Sequence, residues 1–279
     1  MKLFKASLYP FQILKSDMGK FTEPRPLIRD DNGKMHMWCV SPVHGRSFVM
    51  GIYPNGKWII SKGNGLSYSE YNFVDTGKDW QQAWGMLHEK NAIRDFLIGK
   101  EIQSLGIKTN TMEYVLKINN RTRHDFPENI SSPYLLQYTV ECPYRICDYA
   151  FMPQDDFKRE IARWQQMNKR NFDKHHLIAA NVLINNLRIM HDHHIMHNAI
   201  HVQNYTWALE LLDFESSRTP GHPYDSLEYE KHVPQLMEGE VIQTYEVINY
   251  IAWCLGEKID NPRVNNLFME HDFKLQSIV

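Results

Sequence analysis

The chain has 279 residues, of which 43% are hydrophobic and 12% aromatic, enough to bury one large core or two smaller ones. Its 31 basic and 33 acidic side chains leave a net charge of −2, which gives no electrostatic footing for nucleic acid or an anionic membrane. No apolar run approaches the ~20 residues that a membrane span needs, and the first twenty residues carry no signal-peptide pattern.

Residues 1–45 are expected to be irregular, because Pro10, Pro24, Pro26 and Pro42 interrupt any long element. Residues 46–53 read as a strand, Pro54, Asn55 and Gly56 as a tight turn, and 57–62 as the returning strand. This hairpin ends on Lys62, Gly63, Asn64 and Gly65. A lysine leaving a strand beside glycines suits a phosphate ligand, since the ammonium is a compact charge and glycine lets backbone approach. The competing reading is a surface lysine at a hairpin end.

After a polar, aromatic loop at 67–79, a helix is expected over 81–105, with Leu87, Ala92, Ile93, Phe96, Leu97 and Leu105 on one stripe and Gly106 stopping it. Thr111–Ile118 and Tyr134–Val140 read as two further strands around a charged loop at 119–129. Two strands ending on a lysine, a long helix and two more strands follow the order of a kinase small lobe, where the strand lysine pairs with an acidic helix residue.

A composition shift near Pro153 divides the chain into an N-terminal lobe, 1–152, and a mainly helical lobe, 153–279. In the second, helices are expected over 156–166, 173–192 and 240–255. The middle one buries Ala180, Leu183, Leu187 and Met190, and the last repeats Val241, Tyr245, Ile248, Ala252 and Leu255 at helical spacing. The expected class is α+β: a bilobal, protein-kinase-like fold with a small mixed β-sheet lobe carrying one long helix, and a mainly helical large lobe. Four cysteines (Cys39, Cys142, Cys147, Cys254) are too few for a disulfide framework, which implies a reducing setting. That setting is the cytoplasm, or a host cytosol if the chain is exported as an effector. Cys142 and Cys147 are open to pairing as a redox switch or to remaining ordinary thiols.

The stretch 191–215 carries the most chemistry. A helix ends, a loop with His197 and Asn204 follows, residues 205–212 form a buried two-strand ribbon, and Asp213, Phe214 and Glu215 close the segment. Kinase-type phosphotransferases place a metal-binding Asn at the end of such a loop and a metal-binding Asp just after the strand. Here these are Asn204 and Asp213, oxygen ligands suited to Mg²⁺. His191, His193, His194, His197 and His201 lie too close in sequence to converge on one tetrahedral zinc. His197 reads instead as a brace for the loop backbone. The position that bears the catalytic Asp in ordinary kinases is Ala199, and Gln203 cannot accept a proton.

Several short motifs together resemble the selenoprotein O family. Lys62-Gly63-Asn64-Gly65-Leu66 is similar to its LKGxGLTPYS strand end, Ala92-Ile93-Arg94-Asp95-Phe96-Leu97 to SIREFL, and Ser104-Leu105-Gly106-Ile107-Lys108-Thr109 to ALGIPT. Residues 140–145 resemble RVAxSxxR, and 197–204 resemble HGVxNTDN. Asp213, Phe214 and Glu215 resemble the DYG-type metal motif, nine positions beyond Asn204 as in the family. That family has a kinase-like fold and moves AMP from ATP to protein hydroxyl groups, binding ATP flipped relative to ordinary kinases. The resemblance implies ATP and Mg²⁺ as cofactors, and a Ser, Thr or Tyr hydroxyl of a protein as acceptor. It places Lys62, with Gly63 and Gly65, on the phosphates, Asp95 as partner of Lys62, and Arg145 as a second phosphate clamp. Asn204 and Asp213 would hold the ion, with Asp213 and Gln203 in the catalytic positions. Gln203 departs from the family's Asp, the first arginine of RVAxSxxR is absent, and the DGRA element is replaced by residues 84–88.

Three alternatives stay open. The chain could transfer the γ-phosphate as a kinase does. It could bind nucleotide without turnover, as a pseudokinase, given Ala199 and Gln203. It could also be a metal-dependent phosphohydrolase built on His175 or His176, His191, Asp192 and Asp213.

Overall fold

The structure is a computed structural model. It describes residues 47–63, 87–117 and 134–275 in full, and the backbone alone of Ile118 and of short strands within 2–39. The chain divides into two compact units. The first comprises Met1–Lys100 with Asn110–Tyr144, and the second Glu101–Thr109 with Arg145–Val279. The division therefore falls at Tyr144 and Arg145 instead of near Pro153. The cause is local: Ile146 N–H donates to the Tyr205 carbonyl at 2.8 Å, which ties the segment after Arg145 to the helical unit.

The first unit is built on a sheet. Its core strands are β5 (Ser47–Ile52), β6 (Trp58–Lys62), β7 (Thr111–Ile118) and β8 (Tyr134–Val140). The β5–β6 hairpin forms as expected, with Gly56 at φ +83° supplying the left-handed turn residue that Asn55-Gly56 signals. Within 1–45, where irregular chain was expected, the backbone forms β1 (Lys2–Lys5), β2 (Phe11–Ser16), β3 (Arg25–Pro26) and β4 (His36–Cys39). These strands are only two to six residues long, and Pro26 itself lies in the two-residue β3, which pairs with β5 off the main path of the sheet. The order is β1-β4-β5-β6-β8-β7-β2, with β3 on β5.

The expected mixed sheet is corrected: every pairing among these strands is antiparallel. The connection from β6 to β7 runs through helix α1 (Glu89–Ser104), and β8 inserts between the two strands, so no parallel neighbours arise. Central β6 is buried on both faces at Ile59, Ile60, Ser61 and Lys62. Helix α1 begins at Glu89, later than expected, because Leu87 is held in a bridge to Tyr134. Its buried residues are Ala92, Asp95, Phe96, Ile98, Gly99 and Ile102, a face turned so that a carboxylate lies inside it. The loops at 67–79 and 119–129, Gly65, and residues 81–86 lie outside the described residues.

The second unit is mainly helical. A 3₁₀ turn (Ile146–Phe151) precedes α2 (Gln154–Met167), α3 (His175–Asp192), α4 (Leu227–Lys231), α5 (Val233–Cys254) and α6 (Asn261–Glu270). Helix α3 is the centre, packing against α2, α5 and α6. Besides Ala180, Leu183, Leu187 and Met190, it buries Leu177, Ile178, Ala179 and Ile184, a wider face than one stripe. Helix α5 starts earlier than expected because Pro234 fits the first turn, where no amide donor is needed. Helix α6 was not anticipated. Its signals are local: the Asp260 side chain caps Arg263 N–H at 3.3 Å and Pro262 follows in the first turn.

Residues 205–212 form a tight ribbon of single bridges, Tyr205 opposite Leu211, closed by Thr206 Oγ1 on Glu210 at 2.9 Å. Trp164 stacks on Trp207 at 5.6 Å and donates to its carbonyl at 2.7 Å, fixing the ribbon in the core. Among the described residues no helix is long and apolar enough to cross a membrane.

Candidate functional site

Lys62 ends the central strand with its side chain 1% exposed. A buried ammonium must be paired, and Nζ donates to Asp95 Oδ2 of α1 at 2.7 Å. Gly63 follows at φ +92°, where an added Cβ would lie 2.6 Å from the Tyr134 carbonyl oxygen and 2.9 Å from Leu87 Cγ. Packing alone therefore requires glycine there, whatever else approaches it.

In the second unit, α3 ends and the loop is tied down residue by residue. His197 Nε2 donates to the Leu212 carbonyl at 2.9 Å, and its ring meets Phe214 edge-on at 5.3 Å. Asn198 sits at φ +62°, a conformation asparagine tolerates, and its N–H donates to buried Glu240 at 2.6 Å. The other oxygen of Glu240 meets His191 Nε2 at 3.0 Å. Leu212 N–H donates to the Asn204 carbonyl at 2.9 Å, so Asn204 and the residue before Asp213 are direct backbone neighbours. Asp213 itself holds φ +70°, a strained setting for a non-glycine residue of the kind that clusters at functional sites.

Asn204 Nδ2 donates to the Ala199 carbonyl at 2.9 Å. The amide nitrogen is thereby committed inward, and Oδ1 is the atom left to accept. An amide oxygen with a carboxylate suits Mg²⁺, which keeps several of its own waters. Arg145, expected as a phosphate clamp, donates from Nη1 to the Gln203 carbonyl at 2.8 Å. Gln203 N–H in turn donates to His201 Nδ1 at 3.1 Å. His201 is exposed. Its pKa is lowered, first by partial desolvation and then by the nearby His197 and Arg145, while Asp213 pulls it the other way.

The remaining histidines disperse. His175 and His176 both meet Glu257 through Nδ1, at 2.9 and 2.6 Å. His193 faces the Ile189 carbonyl, and His194 takes φ +55° just beyond the helix end. Asp192 pairs with Arg188 at 3.0 Å. Of the residues in the phosphohydrolase alternative, His175, His176, His191 and Asp192 are thus each engaged by a side chain of another kind. Among the described residues no three His, Cys, Asp or Glu side chains gather to hold a metal. Cys142 and Cys147 are not joined in a disulfide, and burial and Asp148 push the Cys147 thiol far up, away from thiolate chemistry.

Sequence reasoning missed His201 and Glu240. The signal for Glu240 was present: it shares a helical face with Thr244, Val247 and Ile251, so a carboxylate falls on a buried stripe. The chain matches no protein-family model and no curated protein sequence.

Proposed function

We propose that this chain is an ATP- and Mg²⁺-dependent transferase of the selenoprotein O type, moving AMP onto a Ser, Thr or Tyr hydroxyl of a protein. The observation that carries the reading is the backbone pairing of Asn204 with Leu212, which sets two oxygen-bearing residues, Asn204 and the strained Asp213, side by side. Support for a kinase-like architecture comes from each unit separately. One has the strand lysine paired with a helix acid, and the sheet order β5-β6-β8-β7 with a helix between β6 and β7. The other has a histidine-braced loop after a buried helix.

In this reading Asn204 and Asp213 would hold the divalent ion, which would offset phosphate charge. Lys62 is assigned to the phosphates. Arg145 acts through the loop backbone it grips. The acceptor oxygen bonds to the α-phosphorus, pyrophosphate leaves, and the hydroxyl proton passes to solvent, since neither Ala199 nor Gln203 can take it. Positioning and electrostatics then supply the acceleration.

The absence of a loop carboxylate favours one second reading, nucleotide binding without turnover. Calorimetry with a non-hydrolysable ATP analogue tests what both share. Binding should require Mg²⁺ and be lost in Asp213→Asn, which keeps tolerance of the left-handed conformation but removes the charge. Gln203→Ala should bind as wild type does, because the structure uses the main chain of that residue. Equal loss in both variants contradicts the assignment.

A further inference from the structure

Gln203 stands where the selenoprotein O pattern has an acid, yet its main chain is held on every side. Its N–H donates to His201 Nδ1 at 3.1 Å, and its carbonyl accepts from Arg145 Nη1 at 2.8 Å. The next amide, Asn204 N–H, donates to the His201 carbonyl at 2.8 Å. The peptide plane entering Asn204 is therefore gripped by Arg145 on its oxygen and by the His201 carbonyl on its nitrogen. The plane before it is gripped by the His201 ring. These bonds fix the backbone that carries Asn204, and its Nδ2 bond to the Ala199 carbonyl orients the side chain.

We infer that His201 is a positioning residue of the divalent-ion site, capping the three-residue turn Val202–Asn204 so that Asn204 presents its oxygen. This rests on the assignment of Asn204 and Asp213 to the ion. The bond requires only a hydrogen-bond acceptor at the reach of Nδ1. An imidazole nitrogen supplies it here, and a side-chain amide or carboxylate oxygen does the same at other caps. Because Nδ1 accepts, the ring carries its proton on Nε2, which takes no part in the cap. Orientation of a ligand by a neighbouring group of this kind is worth about 10–100-fold in metal affinity.

Two substitutions separate the cap from the ring. His201→Asn restores an acceptor near the same place, whereas His201→Ala restores none. Mn²⁺ uptake, read by electron paramagnetic resonance in the presence of a non-hydrolysable ATP analogue, should weaken about tenfold in His201→Ala and return to within about twofold of wild type in His201→Asn. Amide exchange at Gln203, read without any ligand, should accelerate in His201→Ala alone. Equal weakening in both variants overturns the inference, because the ring itself would then be needed. Unchanged Mn²⁺ uptake in both overturns it too. Wild-type protein that takes up no Mn²⁺ with the analogue overturns the ion assignment itself, and the Gln203 exchange result shows in that case whether the cap still exists.

Discussion

His197 donates from Nε2 to the carbonyl oxygen of Leu212 at 2.9 Å, so the histidine that opens the loop holds the residue immediately before Asp213. Leu212 spends its own N–H on Asn204, and Phe214 packs against the His197 ring. Loop and acidic motif thus form one hydrogen-bonded body, anchored below by Glu240 on α5. A strained Asp213 persists only where the surroundings over-determine it, and these bonds do so.

The Lys62–Asp95 pair has a consequence for stability. Both side chains are almost fully buried, and removing one charge leaves the other without its main partner. Lys62→Ala should therefore cost roughly 3–5 kcal/mol in chemical denaturation, and Lys62→Met with Asp95→Leu much less. A stability for Lys62→Ala equal to wild type would show the pair to be solvated in solution.

Gly63→Ala places a Cβ against the Tyr134 carbonyl in a conformation that disfavours side chains. Overpacking of this kind costs roughly 1–3 kcal/mol, and the loss should appear as a lower urea midpoint with an unchanged slope. Gly56→Ala, where no heavy atom lies within 4 Å, should lose only the turn preference. If the two glycines respond alike, close approach is not what fixes Gly63.

Much of this was legible in the chain. Asn55-Gly56 marks the hairpin, and Lys62 falls at its end. The engaged carboxylates were not legible, because their partners are remote. Glu240 meets Asn198 at a separation of 42 residues, and Glu257 meets His175 at 82. Local pattern cannot reveal why an acid should tolerate burial when its donors come from another helix. The histidines illustrate the same limit. Their clustering in sequence argues against one shared zinc but names no partners, and the fold sends His191 to Glu240, His197 to Leu212 and His201 to Gln203. Asp95 falls between these cases. The motif suggested it, and only the turn of α1 brings it inside.

Glu257 gives a pH signature. Burial raises its pKa, but hydrogen bonds from the main chain and rings of His175 and His176 outweigh that, and the net shift is downward. The folded protein thus binds this proton less readily than the unfolded chain. The stabilisation is complete above the usual glutamate value of 4.5 and is lost as pH falls through the folded value. Glu257→Gln should lower stability at pH 7 by about 2 kcal/mol, the worth of charge-assisted bonds at the start of α3. The gap between variant and wild type should close in acid. A gap independent of pH below 4.5 would contradict the charged role.

The most direct measurement is the fate of labelled ATP. The protein is incubated with Mg²⁺ and ATP labelled at either the α or the γ phosphorus, alone and with candidate acceptor proteins, and the products are read by intact mass and by label. AMP transfer predicts α label on protein, a mass increase of one AMP, and loss of both in Asp213→Asn. Label arriving only from the γ position would make the chain a kinase. No label from either position, in protein that still binds the Mg²⁺–nucleotide complex, would contradict turnover and leave a binding module.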